Sequence, residues 1–369
     1  MSNVIISKRQ FITSMSGFMF GSAPLLIASS VASLAGPDSW LSVIIALLAG
    51  LVVVWINSSL GGLYPDKTLA EVIILLLGKW FGGLVVVSFI FIVFLTGTQI
   101  TWYVGDFFTT VFEPEYPPIS INLLFIAVMA IALLYGLEAM LRANEIFFII
   151  AFPFLIFSMA MLLPSINVDN MMPILEKGFA PALKGSIPLL SFTILPIIVL
   201  NMVFPVNTGN VNEAKKAMLK GYLLGMVTSA VTVLATVLTL GSTVTANLRF
   251  PLYMAAREIS IGVIFSRIEA LTVFIWIVTN FVAVFFYAYA LLVALSQSLG
   301  LKSYKTLVMP TALIVSAYSD NIYKNVPYEI RWDTLVWTPL IFTFGFILPA
   351  VLLIISKFKK AGQKKRMKG

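Results

Sequence analysis

Apolar runs follow one another along the whole chain, parted by short polar stretches marked by glycine and proline. They predict ten membrane-crossing helices, at about residues 11–35, 39–60, 82–112, 119–136, 143–163, 186–204, 221–241, 269–298, 306–319 and 334–356. A hydrocarbon core of about 30 Å takes about 20 residues of helix to cross. The third run is longer than that and the ninth shorter, so tilt is expected. The short alternating strands of a transmembrane β-barrel are not in the pattern. The fold class expected is therefore an all-α membrane protein of about ten transmembrane helices. Lys8-Arg9 followed by an apolar run looks like the start of a signal peptide, but the run exceeds the length of such a peptide's core and is read as the first span. Between the spans, segments 68–80, 164–185 and 242–268 are too long for turns and are read as carrying short helices on the membrane surface.

Composition sharpens this picture. Hydrophobic residues make up 60% of the 369 and charged residues 11%, against about 45–50% and about 25% in a soluble domain. Mean hydropathy is +1.00. No polar block is long enough to fold as a soluble enzyme domain. Cysteine and histidine are both absent, which excludes disulfides, thiol nucleophiles, histidine proton relays and the usual zinc and haem sites. Only Ser/Lys or paired-carboxylate chemistry is left open to catalysis. No phosphate-binding glycine loop stands in a suitable context. No cofactor or metal is expected, and an enzyme is not the reading favoured.

The net charge of +8 is concentrated at one end. Lys357, Lys359, Lys360, Lys364, Lys365, Arg366 and Lys368 crowd the tail 357–369, which has no acid. This reads as a cytoplasmic tail against anionic lipid, not as a nucleic-acid site. With the N-terminus inside, 17 of the 24 Lys and Arg residues fall on the inner side and 7 on the outer. The positive-inside rule then places both termini in the cytoplasm.

Two spans carry interruptions near their middles. The first reads Gly21-Ser22-Ala23-Pro24 and the sixth Ser191-Phe192-Thr193-Ile194-Leu195-Pro196. Proline lacks an N–H and clashes with the preceding turn. Opened backbone inside a membrane must line a protein cavity. Spans 1–5 (about 11–163) and 6–10 (about 186–356) each begin with a broken helix, the pattern of two inverted five-helix repeats with a ligand held between the breaks. The N–H groups near Gly21, Ser22 and Ala23 could receive an anion. Carbonyls across the break could receive an ammonium. A zwitterionic amino acid satisfies both.

Polar stripes could complete such a site. Thr98 and Thr101 share a face of span 3 with Trp102, close to Gln99 and Tyr103. Thr279, Ala283 and Tyr287 recur every four residues on span 8, close to Asn280 and Tyr289. Asp106 is the acid placed inside a span, and is a candidate proton or ion site. Glu138, Arg142 and Glu145 are expected to form local ion pairs at the inner rim.

Short motifs in a fixed order carry a family likeness. They are Met19-Phe20-Gly21, Gly136-Leu137-Glu138 with Arg142, Trp276-Ile277 leading to Tyr287, and the segment Phe250-Pro251, Arg257-Glu258-Ile259 and Arg267-Ile268-Glu269-Ala270. The chain resembles the amino acid–polyamine–organocation transporters. More narrowly, it resembles the spore germination permease-like B subunits of nutrient germinant receptors. The resemblance implies a LeuT-like fold and a place in the bacterial cell membrane or the spore inner membrane. It also implies the sensing of a nutrient such as an amino acid, in company with receptor A and C subunits. Its ligand pocket would involve Gly21, Gly97, Thr193, Ala283 and Tyr287. One departure is Gly-Ser-Ala-Pro in the first span, where relatives often keep a glycine two residues after the first. An amino acid permease driven by a proton or sodium gradient would use the same pocket, and the sequence does not separate the two.

Overall fold

The computed structural model describes the backbone of residues 6–21, 25–112, 115–257 and 268–366, with side chains to residue 359 and Ile268 excepted. Its helices in order are α1 (Lys8–Gly21), α2 (Ile27–Ala35), α3 (Ser39–Leu63), α4 (Leu69–Leu77), α5 (Lys79–Val111), α6 (Pro118–Tyr135), α7 (Leu137–Leu162) and α8 (Ala180–Leu189). There follow α9 (Val211–Leu240), α10 (Ser242–Asn247), α11 (Pro251–Arg257), α12 (Ile268–Ser298), α13 (Val308–Ser319), α14 (Val326–Trp332), α15 (Thr338–Phe342) and α16 (Leu348–Arg366).

Among the described residues, eight helical stretches are long and apolar enough to cross a membrane. The difference from ten lies in the first and ninth spans. The first is divided into α1 and α2, and the ninth, α13, has only 12 residues. One of the eight, Ile27–Leu63, has 37 residues, about 55 Å if it were one helix. It is instead two elements, because a turn at Gly36–Asp38, with Gly36 at φ +57°, separates α2 from α3.

Local chemistry sets the joints. Thr68 opens α4 with a reciprocal cap: its hydroxyl accepts the Glu71 N–H while Glu71 accepts the Thr68 N–H at 2.8 Å. Gly136, at φ +98°, is at once the last cap of α6 and the first of α7. A side chain there would be strained, so the chain turns between two spans without a loop.

Helix contacts come in matched pairs. The first span packs on α9 as the sixth packs on α3. α1 meets α7 as the sixth span meets the tenth, and α5 meets α13 as α12 meets α6. α12 is the most enclosed span and α7 among the least. Trp276, Phe285 and Tyr287 of α12 are buried, whereas Trp80, Phe81, Leu84 and Phe91 of α5 face outward, as lipid-facing side chains do.

Polar ties hold the face that carries Lys8 and Lys359. Lys8 pairs with Glu213, and Arg142 with Glu138 as the i, i+4 spacing suggests. Glu145 departs from the expected local cluster and meets Arg9 of α1 at 3.5 Å. Thr68 also bonds Gln297 at the end of α12, and Lys359 of α16 donates to the Leu75 and Leu76 carbonyls that close α4. The expected surface segments are short helices here: α4, Val168–Met171, α10 and α11.

Candidate functional site

The two interruptions differ in kind. α1 ends at Gly21 and α2 starts at Ile27, so the first span is broken where the sequence suggests. Ser22, Ala23 and Pro24 themselves lie outside the described residues. Gly21 seats the end of α1 directly on α12: a Cβ built there falls 2.6 Å from the Thr279 carbonyl carbon and 3.1 Å from the Ala283 Cβ. The sixth span is rewound, not severed. α8 passes into a π-turn at Leu190–Ile194 and then a 3₁₀ stretch at Leu195–Met202. Pro196, at the head of that stretch, has no N–H for the carbonyl one turn back, and the helix adjusts around it.

Two cavities stack between these elements and spans 3, 8 and 10. The lower chamber is lined by Gln99, Tyr103, Phe192, Asn280, Tyr287 and Trp337, among others, and its free volume of about 20 Å³ suits about one water. The upper cavity, toward Arg249, measures about 370 Å³, within the range of small-molecule sites. Leu26, Tyr103 and Phe192 line both and form the partition between them.

A charged cluster borders the upper cavity. Arg249, between α10 and α11, reaches Asp106 with Nη2 at 2.6 Å and Nε at 2.8 Å, and Glu329 with Nη1 at 3.3 Å. Its guanidinium also lies 5.5 Å from the ring centres of Trp102 and Phe250. Burial pulls the Arg249 pKa down, but Asp106 and Glu329 outweigh it and hold the pKa above its ordinary value. The Tyr103 hydroxyl lies 2.8 Å from both Glu329 Oε1 and Asp333 Oδ2. The Tyr323 hydroxyl meets the other Asp333 oxygen at 3.3 Å. One phenol carries one proton and donates once. Three acids thus gather at one guanidinium: Asp106 and Glu329 meet it directly, and Asp333 joins them through the two phenols.

The structure scatters the residues picked out by the sequence. Tyr287 lines the chamber, with its ring 5.2 Å from that of Phe18. Thr98 and Thr101 are buried, but their hydroxyls donate to Phe94 O and Gly97 O of their own helix, each at 2.8 Å. Thr279 likewise bonds the Ile275 carbonyl and lines a separate small cavity beside Phe20. Gly97 borders an apolar cavity with Met129 and Val284. Ala283 is fully buried under Gly21. Thr193 sits in the π-turn, buried, with its hydroxyl unpaired. Asp106 is held by Arg249.

Other residues complete the chamber. Gln99 and Trp337 are 5% and 3% exposed, and the side-chain N–H groups of both are buried without partners. An amide inside an apolar run was the sequence signal for Gln99 and Asn280. Arg249 and Glu329 gave none, because Arg249 stands in a segment read as a surface helix and Glu329 in a connection between two spans.

A family model described as spore germination protein matches residues 5–325. The chain is 29% identical over 341 residues to spore germination protein YndE of Bacillus subtilis (strain 168), covering 89% of each. It is 24% identical over 372 residues to spore germination protein KB of the same organism, covering 99% of this chain and 98% of that one. Among solved structures, MhsT in complex with L-phenylalanine aligns with a TM-score of 0.65 at 14% identity, covering 96% of this chain and 99% of MhsT. Mhp1, a nucleobase-cation-symport-1 family transporter in a closed conformation with bromovinylhydantoin bound, aligns at 0.64 and 13% identity, covering 93% and 77%. At these identities the likeness is one of fold: a LeuT-like bundle of two inverted five-helix repeats with altered first and sixth helices.

Proposed function

The chain belongs to the spore germination protein family, and on that footing we propose that it is a nutrient-sensing subunit of a germinant receptor. It sits in the spore inner membrane with both termini cytoplasmic, so that the Arg249 face looks outward. Its ligand is a small nutrient, an amino acid, taken between the broken first span, α5, α12 and the tenth span. Its partners are the receptor A and C subunits, and it acts by binding, not by catalysis.

The observation that supports this reading is the stacking of a roomy cavity on a nearly filled chamber, divided by Leu26, Tyr103 and Phe192. A ligand in the upper cavity reaches the chamber only if that partition moves. Binding is thereby tied to a change of shape, as a sensor requires. A gradient-driven amino acid permease would need the same movement and, in addition, release on the other side.

The purified full chain in proteoliposomes separates these. Each of the twenty L-amino acids is tested for thermal stabilisation, and those that stabilise are tested as labelled compounds for uptake, with and without imposed proton and sodium gradients. Stabilisation without concentrative uptake is the expected result. Concentrative uptake by the isolated chain would replace the receptor reading with the permease one, and no stabilisation by any amino acid would overturn both.

A further inference from the structure

We propose that the upper cavity and the chamber together orient the ligand through side chains: its ammonium faces Glu329 and Asp333, and its carboxylate faces the Gln99 and Trp337 N–H groups. This rests on the amino-acid reading above and assigns the groups that recognise the two ends.

Two independent observations meet here. The first is the surplus of acids at the top. Arg249 satisfies Asp106 and one oxygen of Glu329. The remaining Glu329 oxygen and one Asp333 oxygen then share the single Tyr103 proton at 2.8 Å. Both acids line the upper cavity. An ammonium brings three N–H donors and one positive charge. It supplies a positive charge against three acids that share one guanidinium, and a neutral or anionic group does not.

The second observation lies on the other side of the partition. Gln99 Nε2 and Trp337 Nε1 are buried donors with no acceptor. A buried N–H without a partner costs about 1–3 kcal/mol, and a carboxylate is the acceptor that would relieve both. Tyr103 borders both cavities and touches both acids. The two sets of groups therefore flank one partition. With it displaced, a small α-amino acid spans them with its ammonium up and its carboxylate down. Side chains on spans 3 and 10 then do the selecting, and the ligand is required to carry both charges.

Analogues read the two ends separately. For each amino acid that stabilises the full-length protein, its N-acetyl derivative and its methyl ester are titrated against wild type, Glu329→Gln, Asp333→Asn, Gln99→Leu and Trp337→Phe. A charge-assisted hydrogen bond lost is expected to weaken binding about tenfold or more. N-acetylation weakens binding to wild type by that factor. Glu329→Gln and Asp333→Asn weaken both the amino acid and its ester. Gln99→Leu and Trp337→Phe weaken the amino acid but leave the ester as in wild type. If Asp333→Asn fails to fold, Glu329→Gln decides the upper half alone. An amino acid that binds wild type yet is indifferent to N-acetylation and to Glu329→Gln overturns this assignment and leaves the sensing role standing. Absence of binding by every amino acid overturns both.

Discussion

Gly21→Ala adds one methyl group at the tightest junction between the broken first span and the core. The new Cβ would stand 2.6 Å from the Thr279 carbonyl carbon and nearer still to its oxygen, where ordinary contacts begin at 3.4 Å, so α1 and α12 must part by about 1 Å or more. The obstacle is the backbone of a 31-residue buried helix, not the flexible end of a side chain. Overpacking of this kind costs about 1–3 kcal/mol, which is about a 5- to 150-fold change in an equilibrium. Thermal unfolding of the purified protein in detergent should show a midpoint lower by about 1–4 °C. Gly21→Leu should be worse, and is scored by loss of the monodisperse peak in size exclusion. Gly83→Ala on α5 is the control, because a Cβ there meets nothing within 4 Å. Should Gly21→Ala and Gly83→Ala melt alike, α1 is not seated on α12 as described, and the account of the break loses its anchor.

Other substitutions probe the remaining ties. Arg249→Met leaves the Asp106 and Glu329 side chains, 15% and 7% exposed, without their cation; a loss of about 3–5 kcal/mol is expected, part of it recovered by adding Asp106→Asn, and a melting curve unmoved by Arg249→Met would refute the pairing. Asn201→Leu removes the 2.8 Å donor to the buried Asn57 oxygen and should cost about 1–3 kcal/mol, measured in the same melts. Thr68→Ala removes the cap of α4 and its bond to Gln297; hydrogen exchange in 69–77 should quicken in line with about 0.5–2 kcal/mol, and unchanged protection would show that the cap is idle.

The spans were legible because lipid leaves the chain no alternative to long apolar helices. The repeat pattern was legible because proline marks the same place in each half, near Pro24 and Pro196. The site was much less so. Thr98 and Thr101 read as a polar face, yet a threonine hydroxyl within a helix can close on the carbonyl four residues back, and both do. No sequence pattern distinguishes that from a free donor. Arg249 meets an acid 143 residues away, and only the packing of a connecting segment onto the bundle brings them together. Tyr103 was visible as a polar residue in span 3, but its two acids, Glu329 and Asp333, come from the far end of the chain.

The tenth span, like the sixth, contains π-turns, at Asp333–Trp337 and Thr343–Ile347. Gly345, inside the second, lies so close to the sixth span that a Cβ there would be 2.9 Å from the Leu195 carbonyl carbon, just where π winding gives way to 3₁₀. A π-turn holds one residue more than an α-turn would. That surplus is slack: passing it along the helix moves each residue it passes by one position, about 100° around the axis, without stripping hydrogen bonds into lipid. Spans 6 and 10 thus carry their own gearing, meshed at Gly345 and Leu195, and a twist begun in one has a mechanical route into the other.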